Sequence, residues 1–255
     1  MTPTPLIDTG DRLVATAHGA TAVFTGRAGG TSEAPYDSLN LGTWTQDDRA
    51  AKAANQAIVQ GWASEDQPRD LLIGRQVHET VVVQHREDFP RPEIDGVDGH
   101  VGNRTDVALA VLTADCIPVL LLAPWGVGAA HAGWRGLAGG VIANTIDELV
   151  DLPGADEDLS RVVAIIGPCA GACCYEVGEE VHAAFEGWPA EPSPGVEPGP
   201  NTIDLPALGT AALTHAGVGE IVRADRCTIC DPRYFSHRAS GGTTGRQAGI
   251  VWRTA

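Results

Sequence analysis

Residues 113–140, TADCIPVLLLAPWGVGAAHAGWRGLAGG, place Cys116 and His131 in apolar surroundings and follow them with Arg135 and a glycine-rich helix entry. Apolar runs on either side of Ala123-Pro124-Trp125-Gly126 predict two strands joined by a tight turn. Folded as a hairpin centred near Ala123 and Pro124, they bring Cys116 and His131 within a residue or two of each other. Cross-strand neighbours stand roughly 4.5–5.5 Å apart at Cβ, a separation that suits two ligands of one metal ion. A third donor, His78, follows Gln76 in GRQVHE. Read as a strand, this segment turns both side chains to one face. Zinc prefers Cys and His, and a catalytic zinc keeps three protein ligands and one open position. His78, Cys116 and His131 match that composition, although spacing alone leaves open whether they meet.

Other arrangements compete for the same chemistry. Cys227-Thr-Ile-Cys230 with two of Cys169, Cys173 and Cys174 would give an all-cysteine zinc site. The adjacent pair Cys173-Cys174 is awkward for that geometry, and packing is the simpler expectation. Cys116 with His131 or His78 as base would make a nucleophilic pair without metal. Blue copper fares worse, since Met1 is the only methionine, and no His-x-His pair exists to suggest a multicopper cluster. Arg27, at the end of an apolar strand in TGRAGG, is a surface residue or an anion contact. Asp95 and Asp98 could serve acid–base chemistry, but Asp/Gly-rich loops arise more often for turn reasons.

The elements that must position these groups follow from periodicity. Paired strands are predicted over 13–24, a helix over 48–62 with Ala51, Ala54, Ile58 and Trp62 on one side, and strand over 71–83 interrupted at 74–78. Residues 90–102 read as a turn-rich connection and 107–112 as a strand buried on both faces. A helix beginning near Gly136 buries Ile142, Ile146, Leu149 and Val150. Further on, the pattern predicts an acidic linker at 151–160, a strand at 161–166, and a helix burying Val177, Val181, Ala184 and Phe185. A Pro/Gly-rich surface loop at 187–201, a helix at 205–216 and strands at 220–224 and 246–252 complete the chain. Strands and helices do not alternate regularly, so the expectation is one α+β domain over 1–255 with mixed sheets.

Composition narrows the partners. With 17 basic and 33 acidic residues in 255, the formal charge of −16 argues against a nucleic-acid backbone as partner. A small anion held by a local arginine stays open. Lys52 is the only lysine and follows no glycine loop, which argues against P-loop chemistry. No run of about 18 apolar residues predicts a membrane span, and no signal peptide is visible. Six cysteines without such a signal read as reduced thiols or ligands, so the expected compartment is cytoplasmic.

Six segments carry a resemblance along nearly the whole chain, in order: TGRAGGTSEAPYDSLNLG, GRQVHETVV, TADCIPVLLL, AAHAGWRGLAGGVI, IGPCAGACCYEVGEEV and TGRQAGIVW. Together they resemble the YfiH/YlmD-type multifunctional purine nucleoside enzymes, once labelled laccase-domain or polyphenol oxidase proteins. The resemblance implies a mixed β-sandwich flanked by helices and one zinc ion on His78, Cys116 and His131. It also implies phosphorolysis of adenosine, inosine, guanosine and S-methyl-5′-thioadenosine, with phosphate as co-substrate, together with deamination of adenosine. Arg27 falls on the family's catalytic arginine. The usual FFSYRR-like segment departs here to Tyr234-Phe235-Ser236-His237-Arg238, and Cys173 and Cys230 lie outside the pattern, as packing residues.

A physical division of labour follows. A Lewis-acidic zinc suits attack at C6 of adenine, with Asp115 as candidate proton carrier. Arg27, Arg135 and the backbone N–H groups at Gly136 could hold phosphate. Asn40, Gln76 and Tyr175 are candidate ribose or base contacts, or else hydrogen bonds that lock loops. Two other classes stay open: a Cys–His amide hydrolase acting on cell-wall precursors, and a non-catalytic binding protein with structural zinc. The preferred nucleoside and the oligomeric state are left open.

Overall fold

The structure is a computed structural model that describes residues 3–87, 94–156 and 158–254. The first sheet combines β1 (Ile7–Asp8), β2 (Arg12–Ala17), β3 (Ala20–Thr25), β4 (Asp70–Ile73), β7 (Val107–Thr113) and β12 (Gln247–Arg253), in the order β1-β2-β3-β12-β7-β4. The second combines β5 (Val82–His85), β6 (Gly99–Gly102), β8 (Ile117–Ala123), β9 (Gly126–Ala132), β10 (Val163–Ile166) and β11 (Glu220–Arg223), in the order β11-β10-β8-β9-β6-β5. Both mix parallel and antiparallel pairs. The helices are α1 (Arg49–Ala63), α2 (Trp134–Gly139), α3 (Val141–Val150), α4 (Glu179–Ala184) and α5 (Leu205–Ala216).

Period-two alternation explains how uninterrupted apolar strands are used. In β7, Val107, Leu109 and Val111 enter the core between the sheets, while Ala108, Ala110 and Leu112 pack toward α1. In β8, Leu120 and Leu122 face the inter-sheet core, whereas Ile117, Val119 and Leu121 face α3 and α5. Each strand therefore needs apolar residues at every position, because both of its faces are covered. The result is the expected α+β sandwich with a helical layer on each outer side. Among the described residues no helix is long and apolar enough to cross a membrane.

Several local expectations are corrected. Helix α1 fully buries Asn55, Val59 and Ala63; of the side expected through Ala51, Ala54, Ile58 and Trp62, Ile58 and Trp62 pack partly buried against the same core, while Ala54 is exposed. Asn55 is inward because its side chain binds Ser32 and the carbonyls of Ser38 and Asn40. The strand expected over 71–83 is two strands in different sheets, and Gln76 and His78 lie in the loop between them. The connection expected over 90–102 contains β6, although 88–93 lie outside the described residues. The helix expected from Gly136 breaks at Gly140, whose φ of 97° ends α2 after six residues. The helix expected to bury Val177, Val181, Ala184 and Phe185 is the short α4; Val181 and its C-cap Phe185 are buried, and Val177 and Ala184 pack partly buried against the same core.

Candidate active site

The ends of β7, β8, β9 and β12 meet at one edge of the sandwich. The hairpin has the register Pro118↔His131, so Cys116, one residue before β8, lies beside the end of β9. The β12 register Gln247↔Thr113 brings Arg246 to the same edge. There the ligand atoms of His78, Cys116 and His131 all lie within 4.8 Å of one another. The two imidazole rings meet edge-on with centroids 4.8 Å apart. The close approach depends on Gly133, where a Cβ would stand 2.8 Å from His78 Cδ2 and 3.1 Å from Cys116 Sγ.

Asp98 organises this group. It is fully buried, and its Oδ1 accepts from the His78 N–H (3.0 Å) and faces His131 Nδ1 at 2.7 Å. Its Oδ2 accepts from the N–H groups of Val77 (3.1 Å) and Glu79 (2.9 Å). One carboxylate therefore shapes the loop that presents His78, whose φ is +65°, and fixes the His131 ring. With Nδ1 engaged, His131 offers Nε2, the carboxylate–histidine arrangement common behind metal ligands. Burial opposes charge on Asp98, but the His131 bond and the backbone donors outweigh it and hold its carboxyl below the usual range. Sequence reasoning placed Asp98 among turn residues. Its neighbour Asp95 is the exposed one, 3.3 Å from Arg75.

Cys116 and His131 also perturb each other. Burial disfavours the thiolate, but the His131 charge and hydrogen bonds from His131 and His78 bring the thiol down to about 6. Burial likewise disfavours imidazolium, yet the Cys116 charge and the Asp98 bond raise His131 to about 9. The donors present, one thiolate and two imidazoles, are those of a three-ligand metal site.

A cavity of about 800 Å³ opens over these residues. Asp115, Gln76, Arg135 and Tyr175 line it together with the three donors. Arg246, Arg238, His237, Tyr36 and Trp44 line it as well, and the sequence had not marked them as substrate contacts. Three of the lining groups are arginines, Arg135, Arg238 and Arg246. Among the described residues no guanidinium of these three pairs with a carboxylate, whereas those of Arg12, Arg27, Arg69, Arg104, Arg223 and Arg233 each do. Arg135 stacks on Trp134, its guanidinium carbon 4.1 Å from the ring centroid. Arg238 lies 5.0 Å over Tyr175 and donates to the Glu176 carbonyl at 2.5 Å. Arg246 is partly desolvated and donates to the carbonyls of Thr244 and Gly245.

The other expected residues are differently placed. Arg27 does not line the cavity: it donates to the Asp37 carbonyl, pairs with the Asp37 carboxylate at 3.1 Å and lies 4.9 Å over Phe235. Asn40 is fully buried, binding Thr45, Asp47 and the N–H groups of Gly42 and Arg246. Gln76 reaches the cavity, but its amide is engaged both ways with the Leu112 backbone at 2.7 Å. Asp115, at φ +93°, accepts from Thr228 Oγ1 (2.7 Å) and the Arg238 N–H (2.8 Å). Cys173 and Cys230, expected as packing residues, are exposed.

A family model described as multi-copper polyphenol oxidoreductase laccase matches residues 21–254. The chain belongs to this laccase-like, YfiH-type family. It is 40% identical over 247 residues to a purine nucleoside phosphorylase of Streptomyces coelicolor, covering 93% of this chain and 97% of the relative. It is 35% identical over 254 residues to the purine nucleoside phosphorylase YlmD of Geobacillus stearothermophilus, covering 92% and 90%. The solved structure of that YlmD superposes with a TM-score of 0.83 over 99% of this chain and 100% of the other, at 32% identity. YfiH of Bacillus licheniformis superposes with a TM-score of 0.84 over both full chains at 29% identity.

Proposed function

We propose that this chain is a zinc-dependent purine nucleoside phosphorylase acting on adenosine, inosine, guanosine and S-methyl-5′-thioadenosine, with adenosine deamination as a second activity. The observation that carries the reading is the trio of arginines without carboxylate partners around a cavity that also holds the His/Cys donors. On a chain of net charge −16 such a concentration of unpaired cation is a local exception, and it suits a phosphate dianion.

In phosphorolysis a phosphate oxygen bonds to C1′ while the C1′–N bond to the purine breaks. The electron pair leaves with the base, which takes up a proton. Arg135, Arg238 and Arg246 hold the attacking phosphate and offset its charge. Tyr175 offers a ring face to the purine and a phenol that burial pushes up to about 12, so it remains a hydrogen-bond donor wherever phosphate is dianionic. Asp115 is assigned a positioning role, since its two oxygens already tie Thr228 and Arg238 to the Cys116 turn. Arg27 acts at one remove, holding the loop that carries Tyr36 to the cavity. His78, Cys116 and His131 would hold the zinc, which when bound supplies a Lewis acid for chemistry at the purine. Three donors with a single thiolate fit one zinc better than the several histidine-rich copper centres that the family's description implies.

One observation favours a second reading. Cys116, His131 and Asp98 stand in the order nucleophile, base and orienting carboxylate, with the thiol near 6, as in a Cys–His amide hydrolase.

Chromatography of products from adenosine and inosine, with and without phosphate, separates these readings. Phosphate-dependent adenine and hypoxanthine, lost on chelation and in Cys116→Ala, is the expected result. Inosine from adenosine without phosphate would establish the deaminase branch. No product from either nucleoside, with Cys116 alkylation blocking amide hydrolysis irrespective of metal, would replace the nucleoside reading by the hydrolase.

A further inference from the structure

A second group of metal-binding donors lies outside the cavity. Cys173, Cys174, Cys227 and Cys230 come from two turns separated by more than fifty residues, yet their sulfur atoms all lie within 4.8 Å of one another. The Cys173 and Cys230 sulfurs are 3.6 Å apart, and those of Cys173 and Cys174 are 3.4 Å apart. In a tetrahedral zinc–tetrathiolate site, Zn–S bonds of about 2.3 Å put the sulfurs roughly 3.8 Å from one another. A disulfide needs about 2.05 Å, and all four cysteines are free. The four sulfurs are therefore gathered at the spacing of a coordination tetrahedron. We propose that Cys173, Cys174, Cys227 and Cys230 form a structural zinc site, distinct from the His78–Cys116–His131 group.

The surrounding backbone favours a thiolate at Cys227. N–H groups of Gly171, Cys230 and Ile229 donate toward Cys227 Sγ, the first at 3.3 Å. Donation from the residues two and three places on is how a C-x-x-C turn stabilises a ligating sulfur. The opposing turn is closed by the N–H groups of Cys174 and Tyr175 on the Gly171 carbonyl. The two turns are held side by side by the bridge Cys169↔Cys227, with the Cys169 N–H on Arg226 O and the Thr228 N–H on Cys169 O. Cys169 itself is buried and is not one of the four. Exposure of Cys173 and Cys230 leaves the site open to an entering ion.

The location gives the ion a purpose. The first turn continues into Tyr175 at the cavity wall, and the second carries Thr228, which binds Asp115. Between them, the Ala170 N–H donates to the Asp115 carbonyl at 2.8 Å. Zinc on the four sulfurs thus staples together both segments that support the turn of Asp115 and Cys116. Binding releases the remaining thiol protons and requires no oxidant.

The test is metal stoichiometry on the full chain, purified without added metal and dialysed against a weak chelator. Two zinc ions per wild-type chain are expected, with one in Cys173→Ser/Cys230→Ser and one in Cys116→Ala/His131→Ala. Each pair of substitutions reads its own site, so a failure of the cavity metal is distinguishable from a failure of this one. Should the serine variant fold poorly, alkylation of the native wild type followed by peptide mapping decides. The four cysteines are expected to be protected until strong chelation and then modified together. Cobalt(II) substitution should add intense charge-transfer absorption that the serine variant lacks. Equal zinc content in wild type and serine variant, immediate alkylation of all four thiols, a Cys173–Cys230 disulfide, or iron at the site would each overturn the proposal.

Discussion

The replacement Asp98→Asn tests the central claim about the candidate active site, that one buried carboxylate both shapes the His78 loop and orients His131. Asp98 receives four donors, two on each oxygen. An asparagine of the same shape has only one acceptor oxygen. Keeping that oxygen toward His131 and the His78 N–H turns the amide NH₂ against the donors of Val77 and Glu79. The opposite orientation instead loses His131. Either way two charge-assisted bonds become unfavourable contacts, a loss of about 3 kcal/mol or more at roughly 1.5–3 kcal/mol each. Loss of the carboxylate behind a ligating histidine typically weakens metal binding about 10- to 100-fold.

Zinc affinity by chelator competition and urea unfolding of the metal-free protein measure the two effects separately. Asp95→Asn is the internal control: three residues away, its pair with Arg75 is exposed on both sides and worth about 1 kcal/mol at most. If Asp98→Asn binds zinc within twofold of wild type, or loses less than about 1 kcal/mol, the carboxylate does not act as described.

Arg238→Ala and Arg246→Ala should each raise the KM for phosphate roughly 10- to 100-fold, the worth of one charged hydrogen bond, with a smaller change in the KM for nucleoside; initial-rate kinetics with each substrate varied checks this. Gly133→Ala drives a methyl group against His78 and Cys116, so zinc affinity should fall about 10- to 100-fold while circular dichroism stays that of wild type. His100, fully buried against His85 at 3.1 Å, is pushed down to about 3 by burial and by the His85 charge. The unfolded chain, with His100 near 6.5, therefore takes up a proton that the folded chain refuses as pH falls from 6.5 toward 3. Stability contributed at neutral pH should fall by about 2 kcal/mol between pH 7 and 5. Urea midpoints at the two pH values should show that slope in wild type and a smaller one in His100→Asn.

What could be read along the chain was what the chain builds locally. The hairpin of Cys116 and His131 has its turn and both apolar strands in one segment, so its register was within reach. Strands β7 and β12 were equally legible, because each is a local apolar run buried at every position or all but the last; helix α5 likewise lies within one apolar segment. The stretch through Gln76 and His78 deceived for a related reason. Apolar residues on both sides suggested one strand, but they belong to β4 and β5 in different sheets, and the loop between them takes its shape from Asp98, about twenty residues away.

The arginines show a different limit. In a sequence with 33 acidic side chains any arginine can find a carboxylate, and the sequence pointed to Arg27 as an anion contact and not to Arg246. Only the fold separates them. Arg27 meets Asp37 across a short loop, ten residues on. Arg246 reaches the cavity because β12 inserts between β3 and β7, which sets it beside the Thr113–Cys116 turn with only carbonyls for partners. The four clustered cysteines follow the same logic. Nothing in the spacing of Cys173-Cys174 and Cys227-x-x-Cys230 says that they meet, since the contact depends on β10 and β11 pairing in parallel and delivering both following turns to one end of the sheet. An unpaired charge or an unbonded thiol is defined by what is absent around it, and only the packed chain specifies that surrounding.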